Sequence, residues 1–273
     1  MLRKLFLVFS IYFSFCSTVF AEKLVDVASG KNHALLLFAD GHILPFGENY
    51  YGQLGLPKTR IRQFIYEKLP IYIDTSIRFI SVAVGLDHSL AIAEDGSLWG
   101  WGNNDYSQLG LNTPKNIEKP QLLTDSKDWK KVFAGGNESL ALKKDGSLWN
   151  IRKFETIKNP DNNAWVDVQI FGEYWGFSDY TLIVVLKDSK GKFWTYGSCN
   201  KTSDDFDILN SFIKEKNNDF WKILPVELPS GITNFQVTDL AGAYERQNDI
   251  LIFGLSASNK KNIMQIRKKM GLS

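Results

Sequence analysis

The chain has 273 residues, of which 44% are hydrophobic and 23% are charged, so it is long and apolar enough to fold around an ample core. Its formal net charge of +2 excludes the strongly basic surface of a general nucleic-acid-binding protein. The aromatic share of 14% and the excess of Gly (21) over Pro (8) favour strands and turns over helices.

Residues 1–21 predict a cleaved signal peptide. Arg3 and Lys4 form a short basic start, an apolar run follows from Leu5 to Phe15, and Val19-Phe20-Ala21 fits the site that a signal peptidase cuts. The apolar run is too short for a comfortable membrane span, and its Phe-rich character is typical of bacterial leaders. We therefore expect export to the periplasm or the extracellular space.

Removal of this leader leaves a chain that is close to neutral, because the leader holds two basic residues and no acidic one. Cys199 is then the only cysteine, since Cys16 lies in the leader. A lone thiol excludes an internal disulfide framework. The bulky Phe15 before Cys16 disfavours a lipid anchor at that position.

A repeated unit begins at residue 24. Each copy has an apolar run that ends at a glycine, then a second apolar run, an Asp-Gly step and a third run. Gly30, Gly85 and Gly135 mark the first three copies and lie roughly 50–55 residues apart. In the second copy, which is the clearest, Leu90–Ala93 and Leu98–Trp101 flank the step. Asp-Gly between apolar runs is a strong hairpin signal, so every copy predicts short antiparallel strands.

The later copies follow the pattern less closely. A fourth unit extends from Trp165 to Gly197 with an insertion near residues 173–179, and a fifth is partial. The polar stretch 203–219 is an excursion between them. We expect a signal peptide (1–21), a repeat domain (22–257, with units near 24–70, 71–122, 123–160, 161–226 and 227–257) and a C-terminal tail (258–273).

The tail is basic and amphipathic. It contains five cations and no acidic residue, and Ile263, Ile266 and Met270 recur at helical spacing. The sequence therefore predicts a short C-terminal helix. Its apolar stripe packs on the domain in the favoured interpretation, because so short a helix needs tertiary support. The alternative is contact with a membrane surface.

The repeat resembles the regulator of chromosome condensation repeat, whose pattern is a small-small-Gly-x-x-His run, Asp-Gly-x-Leu-Trp-x-Trp-Gly-x-Asn and a closing Gln-Leu-Gly. Units one and two carry its histidine as His33 and His88, and unit three has Glu138 there. In the last two units Tyr180 and Glu245 stand near this position. The specific resemblance covers residues 24–149. It implies an all-β protein, a β-propeller of four-stranded blades, with five recognisable units where seven blades are usual.

The resemblance implies that the repeated residues are architectural. Each histidine would start a strand and satisfy backbone groups of its own blade, while the tryptophans would pack between blades. Equivalent histidines on different blades would not converge on one metal ion, so we expect no metal and no cofactor. The architectural set comprises Gly30, His33, Gly85, His88, Asp95, Gly96, Trp99, Gly102, Gly135 and Trp149.

Residues that differ between the copies are the candidates for binding. They precede each Gln-Leu-Gly or lie in the insertion of unit four, and they are Tyr50, Tyr51, Asp105, Tyr106, Tyr174 and Trp175. Loops of this kind share one face of a propeller, and tyrosine is common at protein interfaces. The alternative is that these aromatic side chains cover gaps between blades.

No catalytic constellation stands out in the sequence. A Gly-x-Ser-x-Gly elbow and a Cys/His cluster with metal-ligand spacing are both missing from it. The sequence predicts an exported, non-catalytic propeller that binds an unidentified protein, as a binding or inhibitor-like module, with no nucleic acid and no membrane span after leader removal. Two alternatives stay open. One is a lyase or glycoside-active enzyme with acids in the central channel, and the other is a host-directed secreted effector.

Overall fold

A computed structural model of the chain describes residues 23–30, 32–57, 72–73, 76–113, 115–174 and 180–199, and four strands between residues 226 and 253. All regular secondary structure in these residues is β-strand. The same residues include no helix that is long and apolar enough to cross a membrane. The predicted leader, the predicted tail helix and Trp175 lie outside the described residues.

The strands form five antiparallel sheets, and each sheet uses strands that are consecutive in the chain. The first sheet contains β1 (Leu24–Ser29), β2 (His33–Phe38) and β3 (Ile43–Gly47). The second contains β4 (Phe79–Val84), β5 (His88–Ala93), β6 (Leu98–Gly102) and β7 (Ile117–Thr124). The third contains β8 (Trp129–Gly135), β9 (Glu138–Lys143), β10 (Leu148–Asn150) and β11 (Glu155–Ile157). The fourth contains β12 (Trp165–Tyr174), β13 (Tyr180–Asp188), β14 (Phe193–Cys199) and β15 (Val226–Glu227), and the fifth contains β16 (Ile232–Val237), β17 (Gly242–Arg246) and β18 (Asp249–Phe253).

The predicted Asp-Gly hairpins join the second and third strands of the first three sheets. In the second sheet, Asp95 Oδ1 accepts a hydrogen bond from the backbone N–H of Ser97 at 3.0 Å. Gly96 follows with φ of 86°, a left-handed conformation that glycine adopts without steric cost. The indole N–H of Trp99 then donates to Ser97 Oγ at 2.8 Å. The turn residues therefore fix the register of the strands on both sides.

Buried clusters lie between successive sheets from the first to the fourth. Leu35 and Leu37 of the first sheet pack with Val82 and Trp101 of the second. A second cluster joins sheets two and three, and a third joins sheets three and four. Face-to-face stacking of these three- and four-stranded sheets, in chain order, is the arrangement of propeller blades that the repeat predicts. The five sheets are called blades 1–5 below.

The fourth blade corrects one detail of the repeat alignment. Its first two strands pair through Tyr174 and Tyr180, three residue pairs beyond the end of the shorter hairpin in blade 3. Blades 3 and 4 both have a bulge near the start of their first strand. When residue pairs are counted from this bulge, the position of the repeat histidine is occupied by Ile183 and not by the predicted Tyr180. Glu245 also lies away from this position, inside β17, where it pairs with Ile250. The insertion lengthens the hairpin between β12 and β13. The sequence pattern did not reveal this extra length, so the histidine position in blade 4 was predicted three residues too early.

Candidate functional site

Two loops at the same end of blades 1 and 2 are held from inside by equivalent asparagines. Asn104 is fully buried, and its Oδ1 accepts a hydrogen bond from Leu109 N at 2.9 Å. Its Nδ2 donates to the carbonyl oxygens of Leu111 at 3.1 Å and Thr113 at 2.5 Å. In blade 1, Asn49 Oδ1 accepts from Leu54 N at 3.0 Å. The repeated Asn therefore closes each loop on itself.

The glutamine of Gln-Leu-Gly supports the same loops. Gln53 and Gln108 are both fully buried. Gln53 Oε1 accepts from Tyr51 N at 2.9 Å, and Gln108 Oε1 accepts from Tyr106 N at 3.0 Å. Gln108 Nε2 also donates to Asn103 Oδ1 at 3.1 Å. Because these bonds hold the loop backbone, the variable residues are presented on a fixed frame.

The loops that these asparagines and glutamines hold carry solvent-exposed tyrosines. The exposed fractions are 53% for Tyr50 and 48% for Tyr106, Asp105 is exposed, and Tyr51 is half-buried. The structure thus places these four predicted residues at one end of neighbouring blades. Tyr174 ends β12 at the same end of blade 4, because the first and third strands of a blade run parallel.

Blade 3 lacks such a loop. Its third strand stops at Asn150, and a tight turn over residues 151–154 leads directly into β11. The turn carries Arg152, whose Nη2 donates to the carbonyl oxygen of Asn137 at 3.2 Å. The repeat pattern is therefore lost after Trp149 because the connection between β10 and β11 is shorter than the corresponding loop in blades 1 and 2.

The repeated histidines bond to the following blade. His33 Nε2 lies 3.0 Å from Ser89 Oγ, and His88 Nε2 lies 2.8 Å from Ser139 Oγ. Ser89 Oγ gives its own hydrogen to the carbonyl oxygen of Gln53 at 2.7 Å, so it accepts from His33 Nε2–H. The expectation of a partner in the same blade is wrong. The sequence did contain a signal for this contact between blades, because a serine follows the histidine position in blades 2 and 3.

Burial controls the protonation of His33, His88 and Glu138, which occupy the same repeat position in blades 1–3. It lowers the pKa of His33 to about 4 and that of His88 to about 3, so both rings are neutral at pH 7. Burial raises the pKa of Glu138 to about 7, and Asn150 Nδ2 donates to its Oε1. In the part of the chain that the structure describes, no three His, Cys, Asp or Glu side chains form a metal-binding group.

Profiles of the "Regulator of chromosome condensation (RCC1) repeat" match residues 40–92 and 95–142 and, in a second form, residues 24–53 and 79–108. Together the two profiles cover residues 24–142, which confirms that this part of the chain is similar to the RCC1 repeat. The buried His–Ser and Asn–Gln bonds described above lie within these RCC1 repeats.

Relatives with RCC1 repeats are much longer proteins. The human probable E3 ubiquitin-protein ligase HERC4 is 35% identical over 111 residues, which are 41% of this chain and 10% of HERC4. The Ultraviolet-B receptor UVR8 of Arabidopsis thaliana is 33% identical over 104 residues, which are 38% of this chain and 23% of UVR8. The chain thus spans between a tenth and a quarter of these relatives.

Solved structures share the fold. Human WBSCR16 superposes with a TM-score of 0.64 over 85% of this chain and 62% of its own, at 16% identity. Prp20p from Saccharomyces cerevisiae gives 0.63 over 85% and 58%, at 19% identity. At such identities the likeness establishes the fold alone, and that fold is the β-propeller.

Proposed function

We propose that the chain is an exported, non-catalytic propeller that binds a protein partner through its loop face. The loop face consists of Tyr50, Tyr51, Asp105 and Tyr106. The observation that carries the proposal is the contrast within these loops, where buried asparagines and glutamines hold a fixed backbone while Tyr50 and Tyr106 stay about half exposed. The predicted leader supports export.

Rigid, exposed tyrosines suit protein recognition for physical reasons. A tyrosine offers a large apolar ring and a polar hydroxyl, and ordering its side chain fixes only two torsion angles. Because the internal hydrogen bonds already hold the loop backbone, binding costs little further conformational entropy. Asp105 adds a carboxylate beside Tyr106, which suits a partner that contributes lysine or arginine at this point.

The fold is used for protein binding in a structural relative. Prp20p was solved in a study that describes its binding to Gsp1p and histones, and again with Kap60 bound. We extend from these proteins only the use of a propeller as a binding scaffold. The partner of the present chain is proposed by chemistry, as a protein surface with apolar and basic groups.

Substitution of the two exposed tyrosines tests the proposal. Proteins from the surroundings of the exporting cell are captured on the immobilised wild-type chain and on the Tyr50→Ala/Tyr106→Ala variant. Each interfacial tyrosine contributes about 1–2 kcal/mol, so we expect affinity for the captured partner to fall at least tenfold. Leu122→Ala is the matched control, because Leu122 is exposed on β7.

A second variant separates the tyrosines from their frame. Asn104→Ala removes three hydrogen bonds that close the blade 2 loop and leaves Tyr106 in place. We expect it to weaken partner binding through loss of the fixed loop conformation. Binding that is unchanged in both the tyrosine variant and Asn104→Ala would reject the loop face.

A further inference from the structure

Blade 3 has a much shorter connection than blade 2 at the loop end, the end of the blades that carries the loop face. Residues 151–154 alone join its third and fourth strands, whereas loop 103–113 precedes the fourth strand of blade 2. On the other side, β12 and β13 of blade 4 continue three residue pairs beyond the equivalent end of β8 and β9. Three residues of β-strand span about 10 Å, so blade 4 also extends past blade 3. We call the space over residues 151–154 the recess.

The recess adjoins the loop face, because the blade 2 loop rests on its edge. A Cβ atom added at Gly110 would collide with the carbonyl oxygen of Ile151 and with the ring of Phe154. Ile151 is fully buried and packs with Leu109 of the same loop. Glycine allows this close approach of the two backbones. The loop that carries Tyr106 and the floor of the recess therefore form one continuous surface.

Two cations lie at the floor of the recess. Arg152 is half-buried, and its Nη2 donates to the carbonyl oxygen of Asn137 at 3.2 Å, so its guanidinium lies across the loop end of blade 3. Its Nε is buried and has no hydrogen-bond partner among the described residues. Lys153 is exposed. Neither side chain forms an ion pair with a described acidic residue, so both charges are available to a partner.

The acidic residues of blade 3 near this turn leave much of the positive charge uncancelled. Glu138 is buried, and it is close enough for the charges of Arg152 and Lys153 to act on its pKa. Burial outweighs these charges and raises the pKa of Glu138 to about 7, so its carboxyl is neutral in about half of the molecules at pH 7. Glu155 is exposed at the start of β11 and forms no ion pair with a described cation.

Charges of opposite sign occupy neighbouring connections at the loop end. Glu48 is the only charged residue within residues 48–57, and Asp105 is the only one within residues 103–113. Residues 151–154 contain two cations and no acidic residue. The loop end therefore has acids on blades 1 and 2 and cations on blade 3. Such a distribution orients a bound protein and speeds its association when the partner carries the complementary pattern.

We propose that the recess receives an acidic segment of the protein partner, whose carboxylates pair with Arg152 and Lys153. This inference rests on the proposed function, because the loop face would hold the same partner. A guanidinium binds a carboxylate through two N–H groups, and such charge-assisted hydrogen bonds are stronger than neutral ones. The bond to Asn137 already holds the Arg152 side chain, which lowers the conformational entropy lost on binding. The basic group that suits Asp105 would then lie on the other side of Tyr106, so the partner would bind in one orientation.

An acidic peptide tests the recess before the partner is known. Hexaglutamate with blocked ends is titrated into the isotope-labelled chain at low salt, and its affinity is measured by NMR from the amide signals of residues 150–155 alone. We expect Arg152→Gln/Lys153→Gln to weaken this affinity at least about fivefold, as for the loss of two ion pairs. Arg152→Lys/Lys153→Arg keeps both charges, and we expect it to bind within about twofold of the wild type.

Lys130→Gln/Lys144→Gln is the matched control for this titration. It also removes two exposed cations from blade 3, but both lie toward the opposite end of the sheet. We expect it to leave the affinity at residues 150–155 unchanged. Equal weakening in the control and in Arg152→Gln/Lys153→Gln would overturn the proposal, because net charge alone would then explain the binding. Absence of any shift in these signals would overturn it as well.

Binding of the captured partner separates this inference from the proposed function. We expect Arg152→Glu/Lys153→Glu to weaken partner binding at least about tenfold, because two attractive pairs become repulsive. Partner binding that is lost in Tyr50→Ala/Tyr106→Ala but unchanged in this charge-reversal variant would overturn the recess and leave the loop face standing. Binding that is unchanged in both variants would overturn the two proposals together.

Discussion

Replacement of Trp101 by alanine is expected to lower the free energy of unfolding by about 3–5 kcal/mol, the usual range for loss of a fully buried tryptophan. The ring lies between blades 1 and 2 with none of its surface exposed. Its indole N–H donates to Gln53 O at 2.9 Å, and its ring centroid lies 6.4 Å from that of Phe79. The substitution therefore removes packing and an inter-blade hydrogen bond together. Urea unfolding followed by circular dichroism measures the change.

Trp99 provides the matched control for this prediction. It lies two residues earlier in the same strand, is half-buried, and donates to Ser97 Oγ within its own hairpin. We expect Trp99→Ala to cost about 1–2 kcal/mol, as for a partly exposed side chain with a local bond. If the two variants lost equal stability, the inter-blade contact of Trp101 would not be a principal source of stability.

Acid is expected to destabilise the protein through His33 and His88. Their pKa values in the folded state, about 4 and about 3, lie below the ordinary value of 6.5. The unfolded chain therefore binds more protons as pH falls from 6.5, and folding stability falls with it. Between pH 7 and pH 4.5 the two rings together cost about 5 kcal/mol.

Glu138 opposes this loss. Its pKa is raised from 4.5 to about 7, so the folded state binds more protons than the unfolded chain between these values, and acidification stabilises the fold by about 3 kcal/mol. We expect a net loss of about 2 kcal/mol in the wild type, and about 5 kcal/mol in Glu138→Gln, which keeps an acceptor for Asn150. Urea unfolding at pH 7 and pH 4.5 measures both. A Glu138→Gln profile flatter than that of the wild type would contradict the assignment.

Strand positions followed well from the sequence in the second unit. The apolar runs ended at Gly85 and at the Asp95-Gly96 step, and the strands end within a residue or two of these points. Turn chemistry is local, so a single copy is enough to reveal it. The partners of His33 and His88 were not predicted correctly, because a contact between blades depends on how two repeats stack, and this information is not local.

The candidate site could be predicted in part. Tyr50 and Tyr106 were singled out because they vary between copies, and the structure places both exposed at one end of neighbouring blades. The hydrogen bond from Trp101 Nε1 to the carbonyl oxygen of Gln53 could not be predicted from the sequence, because every residue has a backbone carbonyl group. The exposure of Val27 could not be predicted either, since the sequence around it follows the same repeat pattern as that around the buried Val82.

Hydrogen exchange on the complex with the captured partner tests the proposed function most directly. Binding is expected to slow exchange in residues 48–57 and 103–113, the two loops that carry the exposed tyrosines. The Asp-Gly hairpins at residues 39–42 and 94–97, at the opposite end of the same blades, are expected to exchange as in the free protein. Protection of these hairpins with unchanged exchange in both loops would contradict the claim that the partner binds the loop face.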